Sequence, residues 1–295
     1  MWRLTSRMKK AMSDVFPLQK ISAFILDMDG VIYRGKTVLP GAIDFIARLH
    51  ATGVPFVYLT NNSTTTPEAV AGRLADIGIP AHASEVLTSA EATASAVARE
   101  MPGCRVLLLG EAGIRQALLA EGCALVQDHR KADVVVVGLD RECTYATLRE
   151  AALAVRQGAP FFATNSDRTL PTEIGLIPGA GALVGALELA TDVRARVIGK
   201  PSPEIFRYAL AHLGTEPDFT AVVGDRPETD ILGGQQAGLR TIAVLSGVGT
   251  IDAFAAMQSR PDWVFDSLTE LCDAYFGQGG RPGGGGDWPP KTTVA

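Results

Sequence analysis

Two carboxylates and a glycine follow a short apolar segment near the start of the chain. Residues 22–26 have the composition of a buried strand, and Asp27, Asp29 and Gly30 come directly after them. Side chains two apart on a strand point the same way, so Asp27 and Asp29 are expected to share a face. Two like charges held close together are unfavourable unless a cation or a shared proton offsets them. The pattern favours chemistry over the alternative, a solvated turn rich in Asp and Gly.

Three further polar clusters also follow apolar segments. Thr60 and Asn61 end the second apolar strand, Lys200 stands just before a helix start, and Asp225 and Asp230 follow a strand near the C-terminus. Taken singly, Asn61 and Asp225 fit ordinary turns, Lys200 fits a protein surface, and Asp230 fits the first turn of a helix. Their shared position at strand ends favours a common site.

The residue types of these clusters divide into two chemical groups. The carboxylates supply the hard oxygen ligands that suit Mg²⁺. The ammonium of Lys200 and the polar side chains of Thr60 and Asn61 suit a phosphate group. A cation and a phosphate in one site are the arrangement of phosphoryl transfer. The four histidines lie in ordinary helix or loop contexts, so no Ser-His-Asp or Cys-His set competes.

A parallel sheet is needed to bring these clusters together. After the first strand, helical spacing from Ala42 ends at Gly53, and a second helix begins at Thr66-Pro67 behind the next strand. This alternation predicts an α/β fold with a Rossmann-like parallel sheet and helical crossovers. In such sheets ligands bind at the carboxyl ends of the strands, so the clusters are expected to converge there.

A second α/β unit is expected within the first. Residues 81–177 continue the alternation of strands and helices but carry no paired carboxylates at strand ends. We therefore predict a core formed by residues 21–80 and 178–276, with 81–177 as an inserted cap domain. Residues 1–20 are expected to be an extension, or the result of a start codon placed too far upstream. The Gly- and Pro-rich residues 277–295 are expected to be a disordered tail.

The bulk properties exclude several classes of protein. A chain of 295 residues, 47% hydrophobic and 20% charged, is typical of a globular protein with one large or two ordinary domains. A net charge of -5 gives no electrostatic footprint for nucleic acid or an anionic membrane. No apolar run approaches the ~20 residues of a membrane span. The four cysteines resemble reduced thiols, and no secretory signal is recognised, so a cytoplasmic protein is expected.

The four clusters together resemble the motifs of the haloacid dehalogenase superfamily. The matching segments are Asp27-Met28-Asp29-Gly30-Val31, Leu59-Thr60-Asn61-Asn62-Ser63, Lys200-Pro201 and Gly224-Asp225-Arg226…Thr229-Asp230. A cap between the second and third motifs is similar to the class IIA branch, with a C2-type α/β cap. That branch contains NagD-like proteins, nitrophenylphosphatases, phosphoglycolate phosphatases and nucleotide phosphatases. The resemblance covers roughly residues 21–270, and the motifs are specific in combination.

The resemblance implies a phosphatase that hydrolyses small phosphomonoesters through an aspartyl-phosphate intermediate. Asp27 would be the nucleophile, and Asp29 would act first as the general acid and then as the general base. Thr60, Asn61 and Lys200 would hold the phosphoryl group.

The same resemblance implies Mg²⁺ as the cofactor. The ligands implied are Asp27, the backbone carbonyl of Asp29, and Asp225, with Asp230 in support. Asn165 and Asp167, in the loop that closes the cap, would face the substrate. The substrate would be a small phosphorylated metabolite of the sugar phosphate, phosphoglycolate or nucleoside monophosphate class.

Three alternatives to a phosphatase stay open at this point. A phosphotransferase or mutase could use the same scaffold if a second acceptor replaces water. A dehalogenase is disfavoured, because it needs neither Mg²⁺ nor an acid at position 29. A catalytically silent metabolite-binding protein is disfavoured by the complete set of acids. No nucleic acid or membrane partner is expected, and an exposed cap edge could support a homodimer.

Overall fold

The computed structural model describes residues 16–277, which fold into two parallel sheets with helices on their faces. The larger sheet carries the ends of the apolar strands singled out above, and the smaller sheet belongs to the cap. The predicted α/β fold with a Rossmann-like core and a cap is therefore confirmed. The predictions for residues 1–15 and 278–295 lie outside the described residues.

The elements alternate along the chain as strands and helices. The strands are β1 (Ala23–Leu26), β2 (Tyr33–Arg34), β3 (Thr37–Val38), β4 (Phe56–Thr60), β5 (Val86–Thr88), β6 (Arg105–Leu109), β7 (Ala124–Val126), β8 (Val134–Val137), β9 (Phe161–Ala163), β10 (Thr169–Thr172), β11 (Gly175–Pro178), β12 (Arg196–Val197), β13 (Thr220–Gly224), β14 (Arg240–Val244) and β15 (Trp263–Phe265).

The helices are α1 (Ala42–Thr52), α2 (Pro67–Asp76), α3 (Ser89–Glu100), α4 (Ala112–Ala120), α5 (Tyr145–Arg156), α6 (Ala180–Thr191), α7 (Pro203–Leu213), α8 (Leu232–Gln236), α9 (Ile251–Ala255) and α10 (Leu268–Phe276). Short 3₁₀ turns span Leu18–Lys20, Ala83–Glu85, His129–Lys131 and Pro217–Phe219, and a π-helical turn spans Pro227–Ile231. Within residues 16–277, no helix combines the length and apolar character needed to cross a membrane.

The larger sheet has the strand order β15-β14-β13-β1-β4-β5, with every neighbouring pair parallel. Every residue of β1 and β13 is buried, because these strands lie in the middle of the sheet with helices on both faces. From β1 the chain moves outward to β4 and β5, and later returns to the other side of β1 at β13. The topological switch point therefore lies between β1 and β13, where such sheets bind ligands.

Alternate side chains of β1 enter separate cores on the two faces of this sheet. Phe24 and Leu26 pack in one core together with Phe45 and Leu49 of α1. Ile25 packs in the other core, which includes Phe206 of α7. This alternation follows from the two-residue period of a strand. The buried strands are thus fixed on both sides, which holds their carboxyl ends in place.

We expect Leu49→Ala to destabilise the fold, because Leu49 is completely buried on the inner side of α1. Truncation of a buried leucine typically costs about 2–5 kcal/mol through lost burial and the cavity left behind. Ile43→Ala on the same helix is the control, since Ile43 is 45% exposed. Urea unfolding followed by circular dichroism should separate the two variants. Equal losses of unfolding free energy would contradict the packing described for α1.

The smaller sheet has the order β12-β9-β8-β6-β7 and is also parallel. Its strands shift both expected boundaries of the cap. β5 (Val86–Thr88) lies in the larger sheet, although the cap was expected to begin at residue 81. β12 (Arg196–Val197) pairs with β9, although this segment was expected to return to the core. Both strands have only two or three residues, too few for a sequence pattern to show which sheet they join.

Candidate active site

The carboxyl ends of β1, β4 and β13 meet at one edge of the larger sheet. Asp27 follows β1, Thr60 ends β4, and Asp225 follows β13. The backbone N–H of Asp27 donates to the carbonyl of Val223 (2.9 Å), which continues the pairing of β1 with β13. The predicted convergence of the first, second and fourth clusters therefore follows directly from strand order.

The ammonium group of Lys200 bonds two carboxylates of the site, those of Asp27 and Asp230. Its Nζ donates to Oδ1 of Asp27 in a short hydrogen bond, to Oδ1 of Asp230 at 2.8 Å, and to the carbonyl of Leu59 at 3.4 Å. Lys200 and Asp230 are both buried. The second carboxylate oxygen of Asp27 accepts no hydrogen bond from any residue that the structure describes. One oxygen of Asp27 is thus held by Lys200, and the other is available to contact a bound molecule.

Burial and charge act in opposite directions on the pKa values of this pair. Burial and the neighbouring charge of Asp230 raise the pKa of Asp27 to about 7, against the opposing effect of Lys200. Burial lowers the pKa of Lys200, but the carboxylates of Asp230 and Asp27 outweigh it and raise that pKa overall. Lys200 therefore keeps its charge, while the ionised form of Asp27 gains from any further cation placed nearby.

Asp225 is held by a loop that the sequence did not mark as functional. Its Oδ2 accepts a hydrogen bond from the backbone N–H of Val248 (2.7 Å). Ser246 anchors the same loop, because its hydroxyl donates to the carbonyl of Gly30 (2.7 Å). Gly247 approaches so closely that a Cβ there would lie 1.8 Å from Oδ2 of Asp225. The loop encloses the carboxylate and fixes its orientation.

Three carboxylates of the site fit a divalent cation. One oxygen from each of Asp27, Asp225 and Asp230 lies within 4.8 Å of the others. Oδ1 of Asp225 is buried and has no hydrogen-bond partner among the described residues. A buried carboxylate oxygen without a partner is costly unless a cation binds it. Both oxygens of Asp230 are already bonded, to Nζ of Lys200 and to the N–H of Arg226 (3.2 Å), which suits a supporting place.

Asp29 lies on the open side of the site. Its side chain is exposed and accepts no hydrogen bond from the described residues. Desolvation raises the pKa of Asp29, and the positive charges of Arg226, Arg73 and Lys200 oppose the rise. A carboxyl group with a raised pKa, open to solvent, is suited to exchange protons with a bound molecule.

Thr60 and Asn61 occupy different parts of the site. Oγ1 of Thr60 accepts a hydrogen bond from the backbone N–H of Asn62 (3.1 Å), which leaves the hydroxyl hydrogen for an anion. The Asn61 side chain instead bonds the backbone of Lys200, accepting from its N–H at 2.8 Å and donating to its carbonyl at 3.1 Å. The side-chain amide of Asn61, which was expected to contact a phosphate, is therefore engaged in hydrogen bonds with the backbone of Lys200.

The structure also places Asn165 differently from the expectation. Asn165 is buried, and its amide donates to the carbonyl of Asn61 (2.9 Å) while its Oδ1 accepts from the N–H of Asp167 (3.1 Å). These internal bonds occupy the groups that were expected to face a substrate. Asp167 is only partly buried, and its Oδ2 accepts a hydrogen bond from Nδ2 of Asn61 at 3.3 Å.

The loop of residues 246–248 and two arginines near Asp29 were not predicted from the sequence. The loop comes directly after β14, and Gly247 was the one available signal, because a strand followed by glycine can mark a close approach of backbone. Arg73 gave no signal, since exposed arginines are common in any sequence, and Arg226 lies in a matching segment in which it was given no role.

The assembled groups can support attack on an electrophile that carries negative charge. Asp27 offers a carboxylate oxygen as the nucleophile, Lys200 supplies a fixed positive charge, and Asp29 lies two residues away as a proton donor or acceptor.

Two family models match this chain. Residues 24–124 match the haloacid dehalogenase-like hydrolases, and residues 197–271 match a model described as HAD-hydrolase-like. The first match includes the clusters at Asp27 and Thr60, and the second includes Lys200 and Asp225.

The chain is also similar to named proteins over most of its length. An acid sugar phosphatase of Staphylococcus saprophyticus is 41% identical over 254 residues, which are 86% of this chain and 98% of that protein. Among solved structures, the double mutant of a thermostable NPPase from Geobacillus stearothermophilus is 42% identical, with a TM-score of 0.79, and the match covers 84% of this chain and 97% of that one. NagD from E. coli K-12 is 36% identical with a TM-score of 0.81, covering 85% and 98%.

Proposed function

Because the chain belongs to the haloacid dehalogenase-like hydrolases, we propose that it hydrolyses small phosphomonoesters with Mg²⁺ through an aspartyl-phosphate on Asp27. That it is a hydrolase of phosphoric monoesters follows from this family and its relatives. The proposal concerns the metal, the covalent step and the substrate. The observation that carries it is the contact of Asp27 with Lys200 beside the unpartnered oxygen of Asp225.

In the first step, the free oxygen of Asp27 attacks phosphorus. The positive charge of Lys200 and the hydroxyl of Thr60 stabilise the phosphoryl oxygens as charge redistributes over them. The leaving alcohol must gain a proton as its bond to phosphorus breaks, and protonated Asp29 supplies it. Asn61 contributes by fixing the backbone of Lys200, to which its side chain forms two hydrogen bonds.

In the second step, water attacks the aspartyl-phosphate. Asp29 is now a carboxylate, so it can take a proton from the attacking water. Inorganic phosphate leaves, and Asp27 is regenerated as a carboxylate. Two displacements on the same carboxylate replace one difficult displacement.

Asp225 would hold Mg²⁺ with Asp27 and the carbonyl of Asp29, and Asp230 would support them. When bound, the cation supplies charge neutralisation for the nucleophile and for the phosphoryl oxygens. The raised pKa of Asp27 supports this assignment, because a nearby cation favours the ionised, nucleophilic form.

The substrate class we favour is a sugar phosphate. The relative in Staphylococcus saprophyticus is named as an acid sugar phosphatase, and the match covers 86% of this chain and 98% of that protein. A panel of sugar phosphates, phosphoglycolate, nucleoside monophosphates and p-nitrophenyl phosphate, assayed for phosphate release, tests both the reaction and this preference. No release from any ester in the presence of Mg²⁺ would overturn the proposal.

We expect chelation by EDTA to abolish phosphate release and added Mg²⁺ to restore it. Asp225→Asn should raise the Mg²⁺ concentration needed for half-maximal activity at least ~10-fold, because an amide carries no charge to balance the cation. The matched control is Asp218→Asn, since Asp218 is exposed and forms no ion pair among the described residues. Full activity of the wild type in EDTA, or equal Mg²⁺ requirements for both variants, would contradict the proposed metal site.

A further inference from the structure

The side chain of Asn61 holds the backbone of Lys200 at two points. Oδ1 accepts the N–H of Lys200 at 2.8 Å, and Nδ2 donates to the carbonyl of the same residue at 3.1 Å. Because the planar amide of Asn61 bonds both the N–H and the carbonyl of Lys200, it restrains the orientation of the Lys200 backbone as well as its distance from Asn61. Asn61 therefore fixes the backbone position from which the Lys200 side chain extends to Asp27.

The loop that closes the cap contacts Asn61 from the other side. We call residues 164–167 the closing loop; it follows β9. Nδ2 of Asn165 donates to the carbonyl of Asn61 (2.9 Å), and Oδ2 of Asp167 accepts from Nδ2 of Asn61 (3.3 Å). A carboxylate only accepts hydrogen bonds when ionised, so Asp167 also selects which end of the Asn61 amide faces it.

Gly199 lets the closing loop pack directly against the segment that precedes Lys200. Its N–H donates to the carbonyl of Thr164 (2.9 Å). A Cβ at position 199 would lie 2.3 Å from that carbonyl oxygen and 2.8 Å from Oδ1 of Asn61. The closing loop, Asn61 and the segment before Lys200 are thus in direct contact, with no room for a side chain between them.

From these contacts we propose that Asp167 is a positioning residue, which acts through Asn61 on Lys200. Its carboxylate holds the Asn61 amide in the orientation that clamps the Lys200 backbone. This deepens the proposed function and rests on it, since it assigns the closing loop to the placement of the phosphoryl-binding ammonium. A contact with one kind of leaving group would make Asp167 selective among esters, whereas positioning affects every ester equally.

The first test compares Asp167→Ala with Asp167→Asn. Alanine removes the acceptor, and we expect kcat to fall at least ~10-fold for all esters with a smaller change in KM, because a displacement of ~1 Å can cost 10²-fold. Asparagine keeps an acceptor oxygen of the same reach, so it should restore most of kcat. Ser166→Ala is the matched control, because Ser166 is exposed in the same loop and its hydroxyl bonds to none of the described residues.

The second test is a double-mutant cycle with Asn61→Ala. If Asp167 acts through Asn61, then Asp167→Ala should change kcat by less than ~2-fold once Asn61 is alanine, since effects through a shared partner are not additive. Thermal unfolding of each variant shows whether it is folded. If Asn61→Ala does not fold, the comparison of Asp167→Ala with Asp167→Asn tests the inference alone.

Three results would overturn the inference. One is a loss confined to certain esters and seen mainly in KM, which indicates a substrate contact. Another is full additivity in the cycle, and the third is an unchanged kcat for Asp167→Ala in a wild type that releases phosphate. A wild type that hydrolyses no ester with Mg²⁺ would instead remove the proposed function, on which the inference rests.

Discussion

Replacing Asp27 with asparagine should abolish turnover and leave the fold intact. An amide oxygen is a far poorer nucleophile than a carboxylate, and losses for nucleophile variants reach ~10⁶ in kcat where the nucleophile acts with its partners as a unit. The amide can still accept the hydrogen bond from Nζ of Lys200, so the contact seen with Asp27 is kept. We therefore expect at least a ~10⁴-fold fall in kcat.

The thermal midpoint of Asp27→Asn should not fall. The pKa of Asp27 is raised in the folded chain, so its ionised form destabilises the fold at a pH above that value, and a neutral amide removes this cost. Asp76→Asn serves as the control, since Asp76 is exposed at the end of α2. The measurements are phosphate release and thermal unfolding. Substantial activity with an unchanged thermal midpoint would remove Asp27 from the role of nucleophile.

Replacing Asp29 with asparagine should slow alkyl phosphates far more than aryl phosphates in the first step. Loss of a general acid–base typically costs ~10²–10⁴ in rate. An alkyl leaving group needs a proton as it departs, whereas an activated aryl group such as p-nitrophenolate needs little. Hydrolysis of the aspartyl-phosphate still lacks its base, so phosphorylated enzyme should accumulate with the aryl ester.

Rapid-quench kinetics of Asp29→Asn with an alkyl and an aryl phosphate measure both effects. We expect a burst of p-nitrophenolate followed by slow turnover, and no comparable burst with the alkyl ester. Asp44→Asn is the control, because Asp44 is an exposed residue of α1 and forms no ion pair among the described residues. Equal small losses for both esters, with normal dephosphorylation, would contradict the acid–base assignment.

The sequence predicted the sheet and the main charges of the site well, for a physical reason. β1 and β13 are fully buried and therefore read as unbroken apolar runs, and Asp27 and Asp225 follow them directly. Polar residues at the ends of such strands must lie at one edge of a parallel sheet. The convergence of Asp27 with Asp225 could thus be inferred from the sequence alone. Lys200 is not covered by this reasoning, because it follows β12, a strand of the cap sheet.

What the sequence could not show depends on contacts between distant segments. Nothing in the residues around Asn165 indicates that its amide donates to the carbonyl of Asn61, more than a hundred residues earlier. The loop at Ser246 is likewise recognised only through its contact with Gly30. The sheet that β12 joins is decided by its pairing with β9, and two residues carry no pattern for that choice.

The path of the chain from β12 to Lys200 limits how this enzyme can be recombined with its relatives. Only Ile198 and Gly199 separate the edge strand of the cap sheet from the lysine, while Asn61 belongs to the larger sheet. A chimera that takes only its cap from a second parent, with the return junction just before Lys200, would pair one parent's closing loop with the other parent's Asn61 and Lys200. Exchange of whole caps therefore requires that the junction around residues 61, 164–167 and 199–200 come from a single parent.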